Sequence, residues 1–273
     1  MSVLSAGGNV GTSAALSVRG DTTYATHGYY ELFSSLPADV YWACLILGDG
    51  SADDNLIISL ATGAASSETS LVEVMSWANG GLAPQQSLWF PFYAASGSRV
   101  SIALRGQSSN NVDVGLLLST ESGYGTFQEA TLVGESSGAA TTIDPGGTAH
   151  TKSSWVELIG STPHAFDYVV IHGGSAGDVV TRNTEFLVDL GTGAAASETA
   201  IIENITMQQN TSESNSNNPQ IFCSIPPSTR LSARAQCTET DAGYREIDIA
   251  VTGFRMTAPS GGGGSARGRI FSF

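Results

Sequence analysis

Basic side chains are scarce in this chain: 11 Lys and Arg stand against 25 Asp and Glu over 273 residues, a formal charge of −14. A groove that tracks phosphates needs clustered cations, so nucleic acid is excluded as a partner for the body of the protein. Charge of either sign is thin as well, at 13% of residues, about half the usual share. Ser, Thr, Gly and Ala fill the gap, which suits tight turns and exposed β-structure and not long salt-bridged helices. No Gly-free window of about a dozen residues holds a 3.6 period. No apolar run approaches the ~18 residues of a membrane span, and Met1-Ser2-Val3-Leu4-Ser5 lacks the basic-then-apolar layout of a signal peptide. The expectation is a soluble chain, made in the cytoplasm, with no membrane partner.

Cysteine is short too. Three residues cannot complete a disulfide set. Cys223 and Cys237 lie close in sequence, but a turn at Pro226-Pro227-Ser228-Thr229 sets Cys223 opposite about Ser232. Buried free thiols are therefore expected. Reactive constellations are missing from the sequence in the same way. No two of the four histidines share metal-ligand spacing, no Gly-x-Ser-x-Gly elbow opens a helix, and no P-loop or dinucleotide fingerprint occurs. The expectation is no catalytic residue, no metal and no cofactor. Asp49-Gly50-Ser51-Ala52-Asp53-Asp54-Asn55 bunches carboxylates as a calcium loop does, but not in the ligand order of an EF-hand. It reads as a solvated hairpin loop.

What the chain does have is a repeat. Thr62-Gly63-Ala64-Ala65-Ser66-Ser67-Glu68-Thr69 returns as Thr192-Gly193-Ala194-Ala195-Ala196-Ser197-Glu198-Thr199, with only Ser66/Ala196 different. Tyr29-Tyr30-Glu31-Leu32-Phe33 matches Trp155-Val156-Glu157-Leu158-Ile159, and Gly97-Ser98-Arg99-Val100-Ser101 matches Ser228-Thr229-Arg230-Leu231-Ser232. The offset drifts from 126 at Glu31/Glu157 to 130 at Glu68/Glu198 and 131 at Arg99/Arg230. Small loop insertions between strands kept in register account for that drift. The chain divides into a first copy over 1–128, a second over 129–256 and a C-terminal arm over 257–273.

Each copy holds short runs rich in Val, Ile, Leu and aromatics, in the first at about 29–34, 40–47, 55–61, 70–77, 87–94, 98–105 and 112–118. Alternation of period two, as in Ile247-Asp248-Ile249-Ala250-Val251, marks antiparallel strands with one buried face. The fold class is all-β: two tandem antiparallel β-sandwich domains, jelly-roll-like, from an internal duplication.

The duplication also tests candidate sites, because a residue kept in both halves serves the fold or a shared site. The histidines fail: His27 aligns with Ser153, His150 with Tyr24, His164 with Ala38 and His172 with Ile46. Glu31/Glu157, Glu68/Glu198, Glu73/Glu203 and Arg99/Arg230 pass. Gly63 and Gly193 are expected to take positive φ in a tight strand connection. Glu68 and Glu198 either satisfy that turn or pair with Arg99 and Arg230, so these six residues are expected to be structural. Of the four tryptophans that could stack a sugar, Trp42, Trp77, Trp89 and Trp155, Trp42 and Trp155 are mirrored by aromatics in strand runs and read as packing residues. Trp77, beside Ala78-Asn79-Gly80-Gly81, is the candidate for stacking a sugar. Outside the repeat, a Gly-rich spacer leads to Arg267, Arg269, Ile270, Phe271 and Phe273 with no acidic neighbour. That arm reads as a docking peptide for an acidic partner, against the alternatives of a frayed tail or an engineered linker.

The aromatic-x-Glu-Leu strand, the Gly-Ala-Ala-x-Ser-Glu turn, the following Arg-x-Ser and the final Ile247–Phe254 strand resemble tandem-domain virion structural or tail-fibre-like proteins of tailed bacteriophages and prophages. The resemblance covers the chain to about residue 256 and leaves out the arm. It implies a non-enzymatic component of the virion, on the head, neck, tail or fibre, whose partners are other virion proteins and copies of itself. The alternative it leaves open is an adhesin that binds a host receptor or surface glycan.

Overall fold

The computed structural model describes residues 3–6, 16–19, 28–50, 54–78, 86–106, 111–122, 125–136, 139–175, 184–209 and 218–257. These form β-strands and the turns between them. In the first half the strands are β1 (Val3–Ala6), β2 (Leu16–Arg19), β3 (Tyr30–Phe33), β4 (Val40–Gly50), β5 (Asp54–Thr62), β6 (Thr69–Ala78), β7 (Gln86–Ala94), β8 (Val100–Gly106) and β9 (Asn111–Ser119). The second half contributes β10 (Thr126–Val133), β11 (Glu135–Ser136), β12 (Ala139–Ile143), β13 (Val156–Ile159), β14 (Phe166–Ser175), β15 (Thr184–Thr192), β16 (Thr199–Gln209), β17 (Gln220–Ile225), β18 (Leu231–Cys237) and β19 (Ile247–Thr257).

Two antiparallel sheets make each sandwich. In the first, sheet A1 runs β1-β9-β4-β7 with β2 also paired to β9, and sheet B1 runs β3-β8-β5-β6. The second repeats the pattern: A2 runs β11-β12-β19-β14-β17 with β10 on β19, and B2 runs β13-β18-β15-β16. The tandem sandwich architecture expected from the repeat is the observed one. The join expected after residue 128 falls inside β10, which pairs with β19 from Thr126 onward.

Alternation places the cores. Leu56, Ile58 and Leu60 of β5 point between the sheets of the first sandwich, and Phe186, Val188 and Leu190 of β15 do the same in the second. From β2 to β9 the chain changes sheet at every connection except the β5–β6 hairpin, and the second half follows suit around β15–β16. Two expectations are corrected here. Residues 49–55 are not a hairpin, since β4 belongs to A1 and β5 to B1; residues 51–53 lie outside the described ones. Nor does the Pro226–Thr229 turn make a hairpin. It carries the chain from A2 to B2, so Cys223 in β17 and Ser232 in β18 are not cross-strand neighbours. All three cysteines are free.

The two sandwiches share a core. Edge strands β6 and β7 of the first leave its interior open on one side, and the outward face of A2 closes that mouth. Phe254 stacks on Phe90 with ring centroids 5.9 Å apart, and Tyr168 meets Trp42 edge-on at 5.6 Å. Tyr168, Val170, Phe254 and Phe127 thereby join the first sandwich's hydrophobic cluster. A second, smaller contact sets Ile57 and Met75, on the outer face of B1, against Ala140 and Ala250. Burying each such aromatic ring contributes ~2–3 kcal/mol.

Candidate functional site

The duplicated residues meet in one geometry, built twice. In the β5–β6 hairpin, Ser67 N–H donates to Ala64 carbonyl at 2.9 Å, and Ser197 does the same to Ala194. Gly63 and Gly193 precede that turn with φ of 126° and 123°. A Cβ on Gly63 would stand 2.7 Å from the Ser67 carbonyl oxygen, which is why glycine occupies the position. Ser66 and Ala196, the one differing pair in the motif, also take positive φ, 66° and 63°.

Arg99, just before β8, reaches across to two carboxylates. Its Nε donates to Glu31 at 2.8 Å and its Nη1 to Glu68 at 2.6 Å. In the second copy Arg230 donates through Nε to Glu157 and through Nη1 to Glu198, both at 2.6 Å. Glu68 and Glu198 are 6% and 2% exposed, whereas Glu31 and Glu157 are about half exposed. Burial alone would raise the Glu68 pKa. The Arg99 guanidinium and the turn amides of Glu68 and Ser66 outweigh it and hold the group below the usual carboxylate range. Glu198 responds in the same way to Arg230. An ionised, doubly bridged carboxylate has no proton to give, so this arrangement ties β3, the hairpin and β8 together.

A second cluster is confined to the outer face of B2 and was not singled out in the sequence. Asp189, fully buried, accepts from Lys152 Nζ, from Arg234 Nε at 2.8 Å and from the Asn204 amide at 2.9 Å. Arg234 lies 4.4 Å from the centroid of the Trp155 ring. The ring edge rests over Gly191, where a Cβ would come within 2.6 Å. Trp155 is therefore a half-buried platform on a sheet face and not a core residue, which corrects the packing expectation for it. The available signal was Asp189 itself, an acid between Val188 and Leu190 whose counterpart is Ser59.

The one-copy residues take the following places. His172 is fully buried at the junction of the sandwiches. Thr252 Oγ1 donates to the Glu73 carbonyl at 2.8 Å, so His172 Nε2, 2.9 Å from that hydroxyl, is the donor to it. Burial pushes the His172 pKa down to about 3. His164 is buried beside Thr131 and the Ala165 carbonyl, and His150 is exposed with φ of 58°. His27 lies outside the described residues. Burial raises Cys44 and Cys223 to about 12, against the thiolate a nucleophile needs. Among the described residues no three His, Cys, Asp or Glu converge as metal ligands. The Trp77 side chain and the arm residues Arg267, Arg269, Ile270, Phe271 and Phe273 also lie outside the described residues.

No protein-family model matches the chain, and no curated protein matches it. Among solved structures it is similar to the tandem CBM22-1–CBM22-2 domains of Paenibacillus barcinonensis Xyn10C, at 11% identity over 94% of this chain and 91% of that one, with a TM-score of 0.28. PNGF-II matches at 6% identity over 95% and 66% of the two chains, with a TM-score of 0.35. The stem and receptor-binding domain of the spike protein P1 from bacteriophage PM2 matches at 11% identity over 94% and 97%, with a TM-score of 0.21. Likeness at these scores carries neither activity nor ligand to this chain.

Proposed function

We propose that this chain is a non-enzymatic structural protein of a bacteriophage virion, exposed on the particle as a head decoration or as a neck, tail or fibre component. The observation that supports the reading best is the mouth-on-face docking of one sandwich on its own repeat, through Phe90, Tyr168 and Phe254. The module is one whose surfaces already work as assembly contacts. The duplicated Glu–Arg–Glu clasp belongs with this, since it strengthens a scaffold and leaves both carboxylates committed. The resemblance of the Gly-Ala-Ala-x-Ser-Glu turn to virion proteins supplies the particle. Mass spectrometry and immunogold microscopy of purified particles test it: the chain is expected at fixed stoichiometry in symmetric positions, and its absence from the particle overturns the reading.

The Trp155 platform favours a second reading, a glycan-binding adhesin of the same particle. A half-buried indole on the outer face of B2, with the Arg234 guanidinium over its ring and Lys152 and Asp189 beside it, sets an aromatic ring among donors and an acceptor, the chemistry that sugar recognition uses. A glycan array with wild type and Trp155→Ala separates the two: retained glycan signal lost on substitution favours the adhesin.

A further inference from the structure

The cluster around Asp189 occurs in one copy only, on a sheet face that both copies have. The register partner of Asp189 in β15 is Arg234 in β18, and the same pair in the first sandwich is Ser59 and Ala103. The first sandwich keeps its fold with an uncharged pair there, so the sandwich does not require the cluster. Exchanging a buried ion pair for well-packed uncharged residues is often neutral or stabilising. What the first copy has on this face is balanced. Glu73 meets Arg105 at 2.7 Å and the Ser59 hydroxyl at 3.1 Å, one anion for one cation. In the second copy one carboxylate holds two cations, in a chain of formal charge −14.

The two faces also differ in what covers them. Ile57, Met75 and Ala103 stand at outward positions of B1 and are fully buried, the first two against Ala140 and Ala250 of the second sandwich. On B2 the positions of Ile57 and Met75 are taken by Leu187, half-buried, and Thr206, exposed. Lys152 and Arg234 keep 23% and 26% of their side chains exposed, beside the half-buried Trp155. The segment that carries Lys152 and Trp155 is laced to β18. Ser153 N–H donates to the Ala235 carbonyl and His150 N–H to the Cys237 carbonyl, both at 2.8 Å, and Ala235 N–H donates to Ser153 Oγ at 3.2 Å. Both cations are therefore held on paired backbone, and a ligand that meets them orders no loop.

Burial would raise the Asp189 pKa, but Lys152, the Asn204 amide and Arg234 outweigh it and keep the group ionised. Its Oδ2 takes both cations and its Oδ1 the Asn204 amide, so Asp189 orients the cations and does not itself face a ligand. Lys152 spends one N–H on it and Arg234 spends Nε–H. The other N–H groups of both have no acceptor among the described residues. Glu157, two residues beyond Trp155, is committed to Arg230. We propose that Lys152 and Arg234 bind the carboxylate of an acidic sugar, a uronic or a sialic acid, whose pyranose ring packs beside the Trp155 indole. That carboxylate takes the donors Asp189 leaves over and supplies the second negative charge that the two cations lack. A neutral sugar leaves the charge unmatched. The inference deepens the glycan reading above and rests on it for the sugar; the preference for a charged one is added here.

Titration calorimetry on the full chain compares matched probes: sialyllactose against lactose, and a glucuronate-terminated disaccharide against the same disaccharide ending in glucose. The acidic member of at least one pair is expected to bind at least ~tenfold tighter. That preference should shrink between about 50 mM and about 500 mM NaCl, a reading on wild type that needs no variant. Lys152→Gln and Arg234→Gln each keep a donor for Asp189 and remove one charge, and each should erase the preference. Neutral probes bound as tightly as acidic ones overturn the inference and leave the adhesin reading standing, whereas a chain that binds no glycan on the array removes both. An acidic preference indifferent to both substitutions overturns it as well, since another surface then reads the charge. So does acetate or inorganic phosphate binding as tightly as the acidic sugars, which marks a bare anion site.

Discussion

Arg99 and Arg230 show what a single residue does here that a neighbour of the same charge would not. Each guanidinium spans two carboxylates through different nitrogens, a fork that an ammonium lacks. Glu68→Gln and Arg99→Lys are both expected to lower the melting temperature by a few degrees, read by calorimetry; unchanged melting in both would show the clasp to be idle. The sign of the pH effect follows from the depressed pKa of Glu68: its stabilisation is complete above the ordinary carboxylate range and fades as pH falls through it. His172 acts in the same direction at higher pH. Its folded pKa is about 3 against about 6.5 when unfolded, so the unfolded chain takes up the proton first as pH falls below ~6.5. Between pH 6.5 and pH 5 the loss should reach about 2 kcal/mol, measured by denaturant unfolding, and should vanish in His172→Gln. The clasp residues stand out in the sequence because both halves keep them, but the sequence leaves Glu68 and Glu198 between the turn and the arginines and does not link Glu31 or Glu157 to either arginine. His172 does not stand out: comparison with Ile46 marks it as an accident of one copy, while its role depends on which surface the other sandwich covers.

At the scale of elements, the β5–β6 hairpin and its twin were readable down to the glycine, because a tight turn between paired strands is a local matter. One feature of it was missed. Ser66 and Ala196 sit in the left-handed region, where a Cβ costs roughly 1–2 kcal/mol relative to glycine. Ala196→Gly is therefore expected to raise stability by about 1 kcal/mol in a denaturant titration, and a destabilised variant would contradict the strain. The crossovers were the harder case. A turn at Pro226–Thr229 looks the same in sequence whether the next strand pairs with the last or passes to the opposite sheet, and here it passes. Gly191 belongs to this scale as well, since a flat spot in β15 seats the Trp155 ring. Gly191→Ala should lift the ring, loosen its stacking under Arg234 and shift its fluorescence to the red. An unmoved spectrum would mean that the indole does not rest there.

In the whole molecule the interior of one sandwich is finished by the surface of the other. Removing the Phe254 ring leaves Phe90 and Tyr168 facing a cavity at the junction, so Phe254→Ala should cost about 3–5 kcal/mol. It should also split a single cooperative calorimetric transition into two, and a transition that stays single would show that the halves are coupled elsewhere. The sequence alone determined the class of fold, the number of sandwiches, most strand positions and which glutamates and arginines both halves keep. Those follow from alternation, turn chemistry and repetition, each written over a few adjacent residues. Only the tertiary structure decided which outward faces are covered. A strand's outer positions read alike whether they meet water or a second sandwich, and Tyr168, Val170 and Phe254 became core residues through a contact between segments separated by most of a domain.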